Sequence, residues 1–258
     1  MKKYIRRAIA RFASPKKAGG VRVLLYHSID EPDPDDAMAL RVPPHMFRKQ
    51  MTLLRDEGFV VVPLSSVHEP HEDDGCRRVA ITFDDGYLSD KWAAAVLREF
   101  GFDATFFLVP RFLDGLASPA GYWERWNRLR WEDAEAIAEH GFDIGAHSAT
   151  HVDLRTCAGA KLDEEVAGAR ALLEAKLNRA VPHFSFPFGR FDRRVAAAVE
   201  RAGFRLACTS RYGVNRTAGP CFTVRRTEVT GRDDLRTFQM KLRGQYDWLG
   251  FWQDLKSS

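Results

Sequence analysis

The stretch Val79-Ala80-Ile81-Thr82-Phe83-Asp84-Asp85-Gly86-Tyr87 constrains the fold more than any other, because an apolar run ends abruptly in two carboxylates and a glycine. Such a β-branched run bounded by turn residues is typical of a buried strand. Asp84 and Asp85 therefore stand where a core strand ends, which is where α/β proteins place their ligands. Two partly buried carboxylates repel each other, so we expect a cation or a proton at this position. A plain Asp-Asp-Gly turn is the alternative interpretation.

A second apolar run, residues 142–146, ends in two histidines four positions apart, His147 and His151. Side chains at this spacing face the same side of a helical turn and can both reach one metal ion. One carboxylate and two imidazoles would leave coordination positions for water and substrate, as in catalytic divalent-metal sites. We therefore predict Asp85, His147 and His151 as metal ligands and Asp84 as the group that handles protons. Two unconnected surface histidines are the alternative.

Apolar runs and amphipathic segments alternate along the rest of the chain, and no internal repeat is visible. The patterns predict strands at 21–26, 59–62, 79–83, 103–109, 142–146, 204–209 and 222–225, and helices at 46–57, 91–100, 131–139, 162–177 and 195–201. Alternation of this kind predicts an α/β fold, either a parallel sheet or a (β/α) barrel, with the site at the C-terminal ends of the strands.

Composition narrows the class of protein. A chain of 258 residues with 45% hydrophobic residues fits one domain of barrel size. The net charge of +4 is too small to indicate a nucleic-acid partner. The four cysteines have neither metal-ligand nor disulfide spacing, which favours free thiols in a reducing compartment.

Positive charge is concentrated in residues 1–17, where seven lysines and arginines alternate with apolar residues at helical spacing. The segment lacks the apolar core of a secretory signal, and no stretch reaches the roughly 20 apolar residues of a spanning helix. The pattern favours a solvated or domain-packed terminal helix, and an amphipathic helix on an anionic membrane surface is the alternative. We divide the chain into a basic segment, residues 1–20, and a barrel domain, residues 21–258. We expect a cytoplasmic protein, which would be peripheral at the inner face of the membrane if the basic segment binds that surface.

Two motifs, Thr82-Phe83-Asp84-Asp85-Gly86 and His147-Ser148-x-x-His151, resemble in order and context those of the polysaccharide deacetylase family (NodB homology, carbohydrate esterase family 4). The segment Phe184-Ser185-Phe186-Pro187-Phe188-Gly189 is similar to the third motif of that family, and the opening Leu24-Leu25-Tyr26-His27-Ser28-Ile29 to the start of its Tyr-His-bearing subgroup. The similarity extends over residues 21–245. It implies a distorted (β/α) barrel of about seven parallel strands and a divalent metal ion, zinc in the first place.

The resemblance also implies roles for individual residues. Asp84 would be the base that deprotonates the attacking water. The backbone N–H of Phe188, placed by Pro187, would stabilise the oxyanion. Tyr87, next to the carboxylate pair, is predicted to contact the substrate.

Two departures from the family pattern concern charge and protons. Ser185 stands where the family has an arginine that orients the catalytic aspartate, and we predict that Arg226, just past the expected last strand, supplies that charge. No histidine follows His183 in the sequence, although the family has its general acid there. His27, at the end of the first strand, is our predicted substitute, with a structural role as the alternative, and His183 is a weaker candidate.

The predicted function is a metal-dependent hydrolase that removes N-acetyl groups from an amino sugar, in a glycan or in a lipid- or nucleotide-linked intermediate. Two other classes stay open. One is a hydrolase of a non-sugar C–N bond, and the other is a non-catalytic sugar-binding module of the same fold. The altered third motif favours the latter, whereas the repulsive cluster of intact acids and histidines argues against it.

Overall fold

The structure is a computed structural model that describes residues 19–70, 77–116, 127–217, 219 and 221–255. Its eight strands are β1 (Val21–Tyr26), β2 (Val60–Val61), β3 (Arg78–Asp84), β4 (Thr105–Leu108), β5 (Asp143–Ala146), β6 (His183–Ser185), β7 (Leu206–Cys208) and β8 (Arg226–Glu228). Seven of them follow the order β7-β6-β5-β4-β3-β1-β8, and β2 pairs with the start of β3. Each of these pairs is parallel.

The two ends of the sheet meet and nearly close it into a barrel. A parallel bridge joins Cys208, the last residue of β7, to Val224, which lies just before β8. The N–H of Val224 donates to the carbonyl of Ala207, and the N–H of Thr209 donates to that of Val224. The predicted distorted (β/α) barrel of parallel strands is confirmed.

Helices cover the outside of the sheet. They are α1 (Pro44–Asp56), α2 (Asp90–Phe100), α3 (Pro110–Leu113), α4 (Trp131–Glu139), α5 (Gly159–Asp163), α6 (Ala169–Leu177), α7 (Arg193–Arg201), α8 (Leu235–Leu242) and α9 (Trp248–Leu255). A π-helical turn, Glu164–Gly168, joins α5 to α6 within the segment predicted as one helix. Helix α2 ends at Gly101 in the left-handed conformation, φ 66°, as expected for a glycine cap.

Alternation along the strands separates two layers of core and points the site residues inward. Val79, Ile81 and Phe83 of β3 belong to the large cluster that packs against the helices. Ala80 belongs to a smaller cluster with Val21, Val23 and Phe107, inside the barrel. Because side chains alternate with period two, Thr82 and Asp84 share the inward face with Ala80. The strand therefore delivers Asp84 to the C-terminal mouth of the barrel.

Two sequence predictions need comment. The last strand was expected at 222–225 but lies at Arg226–Glu228, because its polar side chains find buried partners that the sequence does not show. In the described part of the chain no helix is long and apolar enough to cross a membrane. Residues 1–18 lie outside the described residues, so the division at residue 20 and the predicted membrane contact stay predictions.

Candidate active site

The predicted metal ligands come together at the C-terminal ends of β3 and β5. Ligand atoms of Asp85, His147 and His151 all lie within 4.8 Å of one another, and the three side chains are buried. Oδ1 of Asp85 is 3.4 Å from Nε2 of His147 and 3.2 Å from Nε2 of His151. Nδ1 of His147 lies 2.7 Å from the carbonyl oxygen of Ser185. A carbonyl only accepts, so Nδ1 carries the proton and Nε2 turns a lone pair towards Asp85.

These donor atoms fit a divalent cation. Oδ1 of Asp85 is buried and has no hydrogen-bond partner among the described residues. Its lone pairs are therefore available to a cation, as are those of the two histidine Nε2 atoms beside it. Burial opposes ionisation of Asp85, but His151, His147 and Arg128 hold the pKa of this carboxyl well below its usual value. Burial lowers the pKa of His151 to about 4. A carboxylate and a neutral imidazole are the protonation states that bind a metal ion.

The pKa of His147 reflects the negative electrostatic potential at this position. Burial alone would lower the pKa of its imidazole, yet the carboxylates of Asp84 and Asp85 raise that pKa above the ordinary value. The field that favours a proton on this ring would equally favour a cation beside it.

The two histidines converge through an irregular turn and not through the helical turn expected from their spacing. Ser148 and His151 have φ values of 59° and 60°, and the hydroxyl oxygen of Ser148 accepts a hydrogen bond from the N–H of His151 at 2.9 Å. Six non-glycine residues of the described chain have positive φ, and four of them are at this site, including Asp85 at 79° and Phe188 at 59°. Each such conformation costs about 1 to 3 kcal/mol. The surrounding structure must therefore hold this turn in place.

Glu165 holds the turn, and sequence reasoning missed it. Its side chain is fully buried in the π-helical turn. Oε2 accepts from the N–H of Thr150 at 3.0 Å and Oε1 from the Thr150 hydroxyl at 2.7 Å, while the Glu165 carbonyl accepts from Ala149. The available signal was an acidic residue on the apolar side of a predicted helix. We infer that this carboxylate fixes the distance between the two histidines.

Asp84 is clamped by Arg226, as the sequence predicted. Nη1 and Nη2 of Arg226 each donate to one carboxylate oxygen of Asp84 at 2.7 Å. The hydroxyl of Ser185 adds a third bond to Oδ2 at 3.0 Å, and itself accepts from Nη2 of Arg226. Burial would raise the pKa of Asp84, but Arg226, then His147, keep that pKa below its usual value. Asp84 is therefore ionised at neutral pH.

Arg226 reaches Asp84 from the other edge of the sheet. It is the first residue of β8 and not, as expected, a residue beyond the last strand. Its register partner on β1 is Val23, which belongs to the cluster inside the barrel. The guanidinium is fully buried and also donates to the carbonyl of Thr209 and the hydroxyl of Thr82. Closure of the barrel is what brings the arginine and the aspartate together.

Tyr87 lies behind Asp85, a candidate metal ligand. Its side chain is 1% exposed, and its hydroxyl donates to Oδ2 of Asp85 at 3.1 Å. The guanidinium carbon of Arg128 lies 3.9 Å from the Tyr87 ring, and Nη1 of Arg128 donates to the Asp85 carbonyl. A buried, bonded hydroxyl of this kind orients Asp85, which differs from the substrate contact expected from the sequence. Arg128, in a segment without a recognisable motif, was not predicted.

The remaining predicted residues lie after β1, at the start of β6 and in the turn that follows β6. His27 follows β1, is half-buried, and lowers the pKa of Asp84; its Nδ1 is buried without a partner among the described residues. Pro187 is buried and begins the turn that carries Phe188. The Phe188 ring is 44% exposed and lies 4.7 Å from the His151 ring. His183 begins β6, two residues before Ser185, and no contact among the described residues joins it to Asp84 or to the candidate metal ligands.

Comparison with known proteins agrees with this geometry. The polysaccharide deacetylase family matches residues 71–207. YxkH of Bacillus subtilis (strain 168), named as a polysaccharide deacetylase, is 25% identical over 221 residues, which cover 83% of this chain and 73% of that protein. A chitooligosaccharide deacetylase of Bradyrhizobium sp. (strain ANU 289) is 30% identical over 146 residues, 55% of this chain and 60% of that protein.

A solved structure supports the fold. IcaB from Ammonifex degensii superposes with a TM-score of 0.74 at 23% identity, covering 89% of this chain and 98% of that one. The match to the family spans more than half of the sequence and includes both carboxylates of the first motif, both histidines and the Pro187 turn. The chain belongs to the polysaccharide deacetylase family.

Proposed function

We propose that this protein is a metal-dependent deacetylase that hydrolyses the N-acetyl group of an amino sugar. The observation that carries the proposal is the pairing of two differently held carboxylates. Asp84 is locked to Arg226, whereas Oδ1 of the adjacent Asp85 points without a hydrogen-bond partner towards two imidazoles. Two carboxylates with such different surroundings suit two different tasks, proton transfer and metal binding.

Asp85, His147 and His151 would hold the ion, and their donor set favours zinc, which binds two imidazoles and a carboxylate with positions left open in hydrolases. When bound, the ion would supply Lewis acidity to the acetamide carbonyl and lower the pKa of water. Asp85 is steadied for this task by Tyr87 and Arg128, and His147 by the Ser185 carbonyl. Such outer contacts orient the ligands.

Asp84 is the base in this proposal. A carboxylate has about four acceptor positions on its two oxygens. Arg226 and Ser185 occupy one on Oδ1 and two on Oδ2. One position on Oδ1 is left to accept a proton from the attacking water. Because Arg226 holds Asp84 ionised, this base is available at neutral pH.

Two further groups would complete the hydrolysis. The N–H of Phe188 donates to no other described residue, whereas the N–H groups of Gly189 and Arg190 donate to the carbonyls of Phe186 and Pro187. It is therefore free to donate to the oxyanion. His27 would pass a proton to the nitrogen as the C–N bond breaks. The products are acetate and the free amine of the sugar.

The substrate class follows from the family. Relatives named chitooligosaccharide deacetylases support an acetylated amino sugar as the substrate, within a glycan or as a carrier-linked intermediate. Acetate release from free, oligomeric and carrier-linked acetylated amino sugars tests the proposal. Asp84→Asn should lower turnover about 10²- to 10⁴-fold, the usual contribution of a general base. Asp143→Asn, at the opposite end of β5, is the matched control and should retain activity.

Two results would contradict the proposal. Release of acetate only from amides that are not sugars would indicate a different C–N hydrolase. Sugar binding without any acetate release, in metal-loaded protein, would indicate a binding module of the same fold.

A further inference from the structure

Charge is distributed unevenly around the mouth of the barrel. The segments that follow β4, β5 and β6 carry the exposed arginines Arg111 (in α3), Arg155 and Arg190. The loop that follows β1 carries five carboxylates within residues 30–36. Because the C-terminal ends of parallel strands share one edge, both sets border the same site. The exposed arginines therefore lie on one side of the mouth and the carboxylates on the other, where Arg41 pairs with two of the five, Asp30 and Asp33.

Arg190 is an exposed basic side chain near the candidate metal ligands. It directly follows the Pro187–Gly189 turn, and its guanidinium carbon lies 5.5 Å from the ring centroid of Phe188. That ring in turn contacts His151, one of the three candidate metal ligands. Arg190 therefore lies two side-chain contacts from the reacting centre, and its side chain is 56% exposed.

The charge of Arg190 is only partly neutralised. Within the described part of the chain, its one ion pair is a 3.2 Å contact from Nη1 to Oδ2 of Asp153. Asp153 is already held by Arg155, whose Nε and Nη2 donate to its two oxygens at 3.0 and 2.7 Å. Arg155, and to a lesser extent Arg190, lower the pKa of Asp153 to about 2. One carboxylate thus serves two guanidinium groups.

Arg190 also keeps donors for a ligand. A guanidinium has five N–H donors in a planar fork that matches the oxygens of a carboxylate or phosphate. Its Nε and Nη2 make no hydrogen bond with the described residues. A neutral glycan would make little use of this charge, whereas an anion would form a short, charge-assisted pair.

We propose that Arg190 binds an anionic group, a phosphate or a carboxylate, on the sugar whose N-acetyl group is hydrolysed. This inference rests on the proposed deacetylase function and adds the charge of the substrate. A phosphate would come from a nucleotide- or lipid-linked sugar, and a carboxylate from an acidic residue of a glycan. The acidic loop after β1 would repel the same anion and so fix the direction in which the sugar enters.

The test measures binding and acetate release with three probes. They are methyl N-acetylglucosaminide, which is neutral, N-acetylglucosamine 1-phosphate and N-acetylmuramic acid. Binding is measured by calorimetry with zinc-loaded wild type, Arg190→Gln, Arg190→Lys and Arg201→Gln. Arg201 is the control because it is a 65% exposed arginine with one ion pair, at the far end of α7.

We expect at least one anionic probe to bind wild type about tenfold more tightly than the neutral probe, the usual effect of a hydrogen bond to a charged group. This preference should fall in high salt, vanish in Arg190→Gln, persist in part in Arg190→Lys and be unchanged in Arg201→Gln. The anionic probe that binds more tightly shows whether the substrate carries a phosphate or a carboxylate. The inference is overturned if wild type binds all three probes with equal affinity or binds none of them measurably. It is also overturned if Arg190→Gln loses the same factor of affinity for all three probes. An anion preference without acetate release would instead contradict the deacetylase function alone.

Discussion

Replacing Arg226 by methionine tests whether the ion pair with Asp84 sets the catalytic base. The substitution keeps an unbranched apolar stem but removes all five hydrogen bonds of the guanidinium. Asp84 is 3% exposed and would remain as a buried carboxylate held only by Ser185. Breaking a buried pair in this way costs about 3 to 5 kcal/mol of unfolding free energy. The loss is a large part of the 5 to 15 kcal/mol typical of a domain.

The same change should alter the pH dependence of activity. In wild type, burial favours the protonated carboxyl of Asp84 but Arg226 outweighs it, so the pKa is low. Without the arginine, burial dominates and the pKa of Asp84 rises. The base is active only when ionised, so the acid limb of the kcat profile should move to higher pH. At neutral pH we expect turnover to fall by about 10²- to 10⁴-fold, as when a general base is lost.

Two controls separate electrostatics from unfolding. Arg22→Met removes another buried arginine, which lies at the start of β1 and pairs with Asp247. This variant should lose stability without moving the acid limb of the kcat profile. The double variant Asp84→Asn/Arg226→Met buries no unpaired charge, so it should be more stable than Arg226→Met. In the full double-mutant cycle the two substitutions should couple by about 0.5 to 3 kcal/mol. Urea unfolding and pH–rate profiles supply both measurements. Folded Arg226→Met with intact turnover and an unmoved acid limb would refute the reasoning.

Two further predictions concern the turn that carries the two histidines and the buried imidazole of His183. Glu165→Ala should weaken zinc binding about 10-fold or more, because the histidine turn loses its anchor, and Glu165→Gln should recover part of that affinity; a zinc Kd equal to wild type in Glu165→Ala would contradict this role. Burial lowers the pKa of His183 from 6.5 to about 4, so the unfolded state takes up its proton first as the pH falls. Wild type should therefore lose about 3 kcal/mol between pH 6.5 and 4 that His183→Gln retains, as measured by urea unfolding; parallel pH curves for the two proteins would show that His183 does not carry this loss.

Local patterns in the sequence predicted an α/β fold, as a parallel sheet or a barrel, and the position of the acid–histidine cluster, and the resemblance to the family then implied the barrel. An apolar run that ends in carboxylates identifies a core strand and its C-terminal end at once. Arg226 was predicted from what the third motif lacks at Ser185. Its actual place inside β8 could not be predicted, since a charged arginine is unfavourable in a buried strand unless a partner such as Asp84 is known to pair with it.

The residues that hold the site were harder to predict because they act across the fold. Glu165 meets Thr150 only because a π-helical turn rotates it towards the histidine loop. The left-handed backbone of Ser148 and His151 leaves no mark in the sequence, so a helical turn was expected there. Arg128 reaches Asp85 from a connection without a motif. Local sequence patterns predict the reacting groups, whereas the residues that hold those groups in place are found only from long-range contacts in the folded structure.

Metal content and acetate release, measured together, test the division of labour between the two aspartates most directly. Wild type, His147→Ala and Asp84→Asn would each be stripped by a chelator, reloaded with zinc and assayed on acetylated amino sugars. We predict that wild type binds one divalent ion and releases acetate, that His147→Ala loses both, and that Asp84→Asn keeps the ion but not the activity. Failure of wild type to bind any divalent ion, or loss of the ion in Asp84→Asn, would contradict the account.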